Sequence, residues 1–157
     1  MELIHSIRQS LRGILVGQNR PIPRARYQSQ GDIAPDNVSW YVRETVVPAG
    51  EGPATQNSRT ENFLAQFEVF VPRRDNAAAF GSAERIAGSI RAALDPFSPC
   101  PGAGMLPLPD WIGVQAYVAR VTMEVPSLDA GDGGFYRVPV QAEISAVVDL
   151  GSGFRAG

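Results

Sequence analysis

The sequence contains no lysine, one cysteine and one histidine. All 14 basic residues are arginine, a bias that a GC-rich genome explains without any appeal to function. A lone cysteine, Cys100, excludes an internal disulfide and a multi-cysteine metal site, and it reads as an incidental thiol in a proline-rich loop. A lone histidine, His5, would have to serve any Ser-His-Asp or Cys-His catalytic arrangement, yet its spacing puts it on a helix flank. No apolar run approaches the roughly 18 residues needed to span a membrane. The opening MELIHSIRQSLRGIL alternates apolar and polar residues, unlike a signal peptide, so a soluble intracellular product is expected. The net charge of −2 gives no field that would attract a polyanion. An apolar content of 44% is too high for a disordered chain.

Against these absences stands a competent scaffold. Leu3, Ile4, Ile7, Leu11, Ile14 and Leu15 recur at helical spacing, predicting an amphipathic helix over about 2–16 with Gly17 as its C-cap. Residues 18–37 carry three prolines and no periodicity, and read as an extended connection. A strand is predicted over 38–47, with Val38, Trp40, Val42 and Val46 on one face and Glu44 interrupting it. The Gly- and Pro-bearing segment 48–60, PAGEGPATQNSRT, reads as a long polar loop, functional or mobile. In 61–94, Phe63, Ala65, Phe67, Val69 and Val71 alternate along a strand that Pro72 ends. Asp75 then offers an N-cap, and Phe80, Ala83, Ile86, Ala87, Ile90 and Leu94 form a helical stripe.

Five prolines and two glycines in 95–110 point to an irregular segment. A hairpin follows. Tyr117, Ala119, Val121, Met123 and Val125 share one face of its first strand. Tyr136, Val138, Val140, Ala142, Ile144, Ala146 and Val148 share one face of the second, where Pro139 suggests an edge position or a bulge. The fold expected is α+β: a two-layer sandwich of a four-stranded, mainly antiparallel sheet with two helices packed on one face, in the order α-β-β-α-β-β. Residues 1–150 read as a single domain and 151–157 as a flexible tail. The closing strands could span about 40 Å, against about 28 Å for a 19-residue helix. Part of the hairpin is therefore expected to project, its inner residues calling for another chain to cover them.

No constellation of residues carries chemistry. DAGDGG at 129–134 faintly resembles a calcium loop but lacks the later ligands, and a hairpin turn explains it. GAGMLP at 102–107 follows no strand and opens no helix, so it is not a phosphate loop. Arg8, Arg12, Arg20, Arg24 and Arg26 occur with no acid between Glu2 and Asp32. They read first as a solvated helix face and linker, next as a protein-binding arm, and last as a phosphate contact. A non-enzymatic protein is expected, with no catalytic residue, no cofactor and no metal.

The layout resembles the tail-terminator (tail-completion) proteins of long-tailed bacteriophages, including the lambda-like ones. The resemblance covers about residues 2–149. It rests on the amphipathic start LIHSIRQSLRGIL, on SWYVRETVVP, on the polar loop and on FLAQFEVFVPRRDNAAAFGSAERIAGSIRAAL. The closing YVARVTMEVPSLDAGDGGFYRVPVQAEISAVV completes it, where an aromatic residue followed by V-P-V is common in the family. It implies a virion structural protein that caps the head-proximal end of the tail tube as a homohexameric ring. Such a ring stops tube polymerisation and provides the docking surface for head-tail joining. The implied partners are the chain itself, the tail-tube protein and a head-completion or connector protein. DNA would pass through the lumen without sequence-specific binding, and no membrane is involved. The implied location is the virion tail, and the host cytoplasm during assembly.

Candidate inter-subunit or tube contacts are Arg43, Glu51, Asn57, Arg59, Glu68, Arg120, Glu124, Asp129, Asp132, Arg137 and Glu143. Arg20, Arg24 and Arg26 are candidates for a partner-binding basic arm. The 18–37 arm and the 95–110 loop look long for the family. They leave open a neighbouring role as a neck, adaptor or minor tail protein and, more remotely, as a small ligand-binding domain.

Overall fold

A computed structural model describes residues 2–17, 27–29, 40–73, 76–128 and 134–149. Two helices, α1 (Leu3–Gly17) and α2 (Asn76–Leu94), accompany strands β1 (Tyr27–Ser29), β2 (Tyr41–Ala54), β3 (Ser58–Pro72), β4 (Met105–Leu106), β5 (Val114–Met123), β6 (Ser127–Leu128) and β7 (Phe135–Asp149). The fold is α+β, with one largely antiparallel sheet. The expected four strands are its long members, β2, β3, β5 and β7. Three short strands join them in a seven-stranded sheet of order β1-β2-β3-β7-β5-β4, with β6 also on β7. The chain order is therefore α-β-β-β-α-β-β-β-β, not α-β-β-α-β-β. Two of the additions lie where proline content argued against regular structure: β1 within 18–37, parallel to β2, and β4 within 95–110. Each needs only two or three residues between the breakers.

Apolar alternation decides which face is buried. Phe63 to Val71 on β3 and Val138 to Val148 on β7 turn their odd- and even-numbered apolar residues, respectively, into one core. Ile7, Leu11 and Leu15 of α1 meet them there, with Ala83, Ala87, Ile90 and Leu94 of α2. Burying each large apolar side chain contributes about 1.5–3 kcal/mol. The alanines of α2 let its backbone lie close to the sheet. Phe80, expected on the same stripe, is 39% exposed and packs edge-on against Tyr136 at 5.7 Å.

β7 is central. It pairs with β3 from Phe135 to Asp149 and with β5 on its other side. An edge position for Pro139 is therefore incorrect. Pro139 is buried opposite Glu68 of β3, and its carbonyl accepts from the Glu124 amide at 3.1 Å. Within a strand, N and O of one residue point to the same side. The missing N–H of Pro139 thus faces the gap where β5 ends and β6 begins, and a ladder bond is lost only where the partner strand is already interrupted.

β5 departs from its expected phase. Val114, Ala116 and Val118 are buried whereas Tyr117 is 37% exposed. A bulge between Val118 and Arg120 then places one extra residue, Ala119, against β7. Beyond it Val121 and Met123 turn to the core. A bulge reverses the side-chain phase, so one alternation cannot describe the whole strand.

The expected uncovered hairpin is also corrected. The inner residues of β7 from Val138 to Val148 are all buried within the single chain. Leu106 and Val114 join the core, and Leu108 and Trp111 pack against it, so the segment after α2 extends the cover that the helices provide. Gly104 makes this return possible. Its φ is +78°, and a Cβ there would stand 2.8 Å from Pro96 Cβ and 2.9 Å from Pro96 Cα. Its carbonyl accepts from the Val118 amide at 2.7 Å.

Gly104→Ala is expected to cost about 2–4 kcal/mol, since positive-φ strain adds to a backbone clash. Gly50, at φ +95° with open space around it, is expected to lose only about 1 kcal/mol on change to Ala. Urea unfolding of the two variants checks the contrast.

Candidate functional site

The segment 48–60 is where the structure departs most from the expected layout. It is no loop. β2 continues through Ala54 and β3 begins at Ser58, so the segment forms the two arms and the turn of a β-hairpin. Proline and glycine are accommodated by two irregularities. Pro48 pairs with Phe63, Glu51 with Glu61 and Ala54 with Arg59, so β2 carries two residues against one of β3 in each interval. Gly50 supplies the positive φ of the first. At the tip the Thr55 amide donates to the Ser58 carbonyl at 2.9 Å, and the Asn57 amide donates to Thr55 Oγ1 at 3.3 Å. From Val47 onward β2 is exposed except at Gly52, which is half-buried. β2 is thus an exposed outer strand here, while Ser58–Phe63 of β3 stay paired with Ile144–Asp149 of β7. Glu51 and Asn57 are exposed on this β2–β3 arm, and Arg59 ion-pairs with Glu61 at 3.2 Å on the β3 side.

The remaining candidates lie on the sheet face turned away from the helices. Arg43 of β2 stands opposite Glu68 of β3, and Glu68 ion-pairs with Arg137 of β7. These residues form a row across three strands. The Glu68–Arg137 pair neutralises itself within the chain. Arg43 lies over the Phe70 ring at 5.1 Å, a cation–π contact. Phe70 stacks on Tyr41 at 4.8 Å, and Phe135 meets both rings edge-on. Arg120 and Glu143 face each other across β5 and β7 at the bulge, both exposed, and Glu124 is exposed just past β5. The structure thus brings Arg43, Glu68 and Arg137 together, places Arg120 with Glu143, and sets Glu51, Asn57 and Arg59 apart on the arm. Asp129, Asp132, Arg20, Arg24 and Arg26 lie outside the described residues, as do Asp75 and the 151–157 tail.

The buried ionic cluster went unread in the sequence. Glu44 is 3% exposed on the core face of β2. Arg12 of α1 donates from Nε to Glu44 Oε2 at 2.8 Å, and Arg8 Nε lies 3.2 Å from Oε1 without hydrogen-bond geometry. Arg8 and Arg12 are therefore turned inward, which corrects their reading as a solvated face. The signal was present: an acid breaking an apolar strand face, and two arginines four apart on one helix. Burial raises the Glu44 carboxyl above its usual 4.5, and Arg12, then Arg8, act against that rise without cancelling it. Among the described residues no group of three His, Cys, Asp or Glu could hold a metal ion, and no helix is long and apolar enough to cross a membrane.

Removing an arginine leaves Glu44 buried with less compensation, whereas removing the acid leaves two arginines that still reach solvent. Arg12→Ala is expected to cost about 3 kcal/mol and Glu44→Gln under about 1 kcal/mol. Because the folded-state pKa of Glu44 lies above 4.5, the folded chain holds its proton more tightly than the unfolded chain does. The contribution of Glu44 to stability therefore declines as pH rises from 4.5 through the folded value, and Glu44→Gln abolishes that slope. Urea unfolding of both chains between about pH 4 and 7 measures it.

No family model matches the chain, and no curated protein matches it. Solved structures do. One, whose name states no function, matches with a TM-score of 0.59 and 17% identity, over 90% of this chain and 94% of its own. At that identity the likeness shows the fold alone.

Proposed function

We propose that this protein is a virion structural protein of the tail-terminator type. It caps the head-proximal end of a phage tail tube as a ring, halts tube polymerisation and presents the surface to which the head docks. The observation that carries the reading is the β2–β3 arm. Its β2 side is a polar, exposed strand with two bulges, held on β3, which is itself paired with β7 from Ser58 onward. An exposed polar edge of this kind suits geometric capping, in which one face of a subunit engages the last tube ring and the other refuses a further one. The α+β sandwich agrees with the fold that the resemblance implies. Glu51, Asn57 and Arg59 are the contacts proposed on the arm, with Arg120 and Glu124 on the β5 side of the sheet and Glu143 opposite Arg120 on the central β7. A hexamer, a tube-protein partner and a connector partner belong to the same proposal, and none of them requires a cofactor or catalysis.

The test uses the register. Replacing Thr55–Ser58 with a two-residue Asn-Gly turn joins the paired Ala54 and Arg59 and removes the tip, with loss of only the terminal Ser58–Asp149 pair to β7. Phage carrying this variant are expected to make a folded subunit but overlong tails, or tails that fail to join heads, in electron micrographs. Normal tails joined to heads would reject the role of the arm. Deleting the whole gene tests the wider reading: overlong tails support a terminator, normal-length tails without heads indicate a neck protein, and normal infectious particles overturn both.

A further inference from the structure

Helix α1 has two polar sides. Arg8 and Arg12 turn to Glu44 on one. On the other, Ser6, Gln9 and Ser10 stand about one turn apart and face the segment Pro107–Asp110 across a cavity of about 190 Å³. Trp111 fixes the two walls: its Nε1 donates to Ser6 Oγ at 2.8 Å, and its amide donates to the Leu108 carbonyl at 3.1 Å. Ordinary small-molecule sites enclose about 300–1,000 Å³, so this one has room for a single side-chain-sized group.

The one charged side chain on its lining is an acid. Pro107 and Pro109 have no N–H, so two of the four loop residues offer the cavity no backbone donor. Asp110 brings a carboxylate, Gln9 and the serines can accept as well as donate, and no arginine or histidine lines the space. Ser10 Oγ is buried there without a hydrogen-bond partner, a state that costs free energy until a ligand or water satisfies it. Leu108 supplies an apolar wall for a hydrocarbon stem. Gln9 and Asp110 are exposed, which leaves the mouth open to solvent.

We propose that this cavity is a receptor for a guanidinium group, carried either by a free small molecule or by an arginine side chain of another protein. A planar cation with five N–H donors and no acceptor matches a small, acceptor-rich, acid-bearing space. Asp110 accepts from the guanidinium as a charge-assisted partner, Ser10 and Gln9 accept its remaining N–H groups, and the stem lies on Leu108. This inference is independent of the capping role: no residue that lines the cavity belongs to the β2–β3 arm.

The experiment is a titration of the full chain with N-acetyl-arginine amide, followed by amide NMR shifts, beside its neutral isostere N-acetyl-citrulline amide. Shifts confined to Ser6–Ser10 and Leu108–Trp111, present with the arginine compound and absent with the citrulline one, are expected. Asp110→Asn, an exposed position that does not threaten folding, should weaken binding about tenfold, and Ser10→Ala should weaken it less. Equal shifts from both compounds, no shifts with either, or unchanged affinity in Asp110→Asn would overturn the proposal. Methylguanidine and an arginine-centred pentapeptide separate the sources. Tighter binding of the peptide assigns the cavity to a protein partner and equal binding to a free guanidinium compound, and either result supports the shared chemistry.

Discussion

The two-sided pairing of β7 is the constraint on which the rest of the chain depends. One strand holds β3 along its whole length on one edge, and β5 and β6 in turn on the other. Every inner residue from Val138 to Val148 is buried, so a one-residue slip would turn the whole apolar set outward. Register is therefore specified by burial and not by turn chemistry. Pro139 survives in the middle because its side of the ladder is the one where β5 gives way to β6. The interruption between those strands and the proline opposite it are two parts of one accommodation.

Helix α1 is held differently. Its apolar stripe of Ile7, Leu11 and Leu15 supplies burial, and the Arg8–Glu44–Arg12 cluster supplies orientation. A buried carboxylate is a poor source of net stability, because desolvation opposes what the arginines contribute. Its value is positional: only one rotation and one offset of α1 bring both guanidinium groups to the same acid. That placement also sets the opposite side of the helix against Pro107–Asp110 and so shapes the cavity there.

Much of the scaffold was legible because burial and periodicity coincide. The β3 and β7 alternations and both helical stripes identify residues that the structure buries, apart from Phe80 and several half-buried positions. What escaped were places where one residue changes the phase. Ala119 shifts β5 by one, so Val118 and Val121 both face inward, and no single alternation contains both. Pro48, Gly50, Gly52 and Pro53 imitate a loop because breakers and bulge residues are the same residue types. Charge pattern put Glu68 and Arg137 among the candidate contacts without pairing them. It could not show that the two neutralise each other across strands, since that pairing depends on the β3–β7 register. Glu44 was noticed only as an interruption, because its partners lie 32 and 36 residues away in sequence.

The proline-bearing arm has a consequence for how this protein can be recognised. A plain edge strand offers its backbone to any passing strand, and such pairing is indifferent to sequence. β2 denies that template: Pro48 and Pro53 remove two amide donors, and the two bulges turn the strand off a continuous ladder. If the arm makes the proposed contacts, they are read from side chains. Substitutions at Glu51 or Asn57 can retune a contact without touching the scaffold, and the arm can diversify while the sheet that carries it stays fixed.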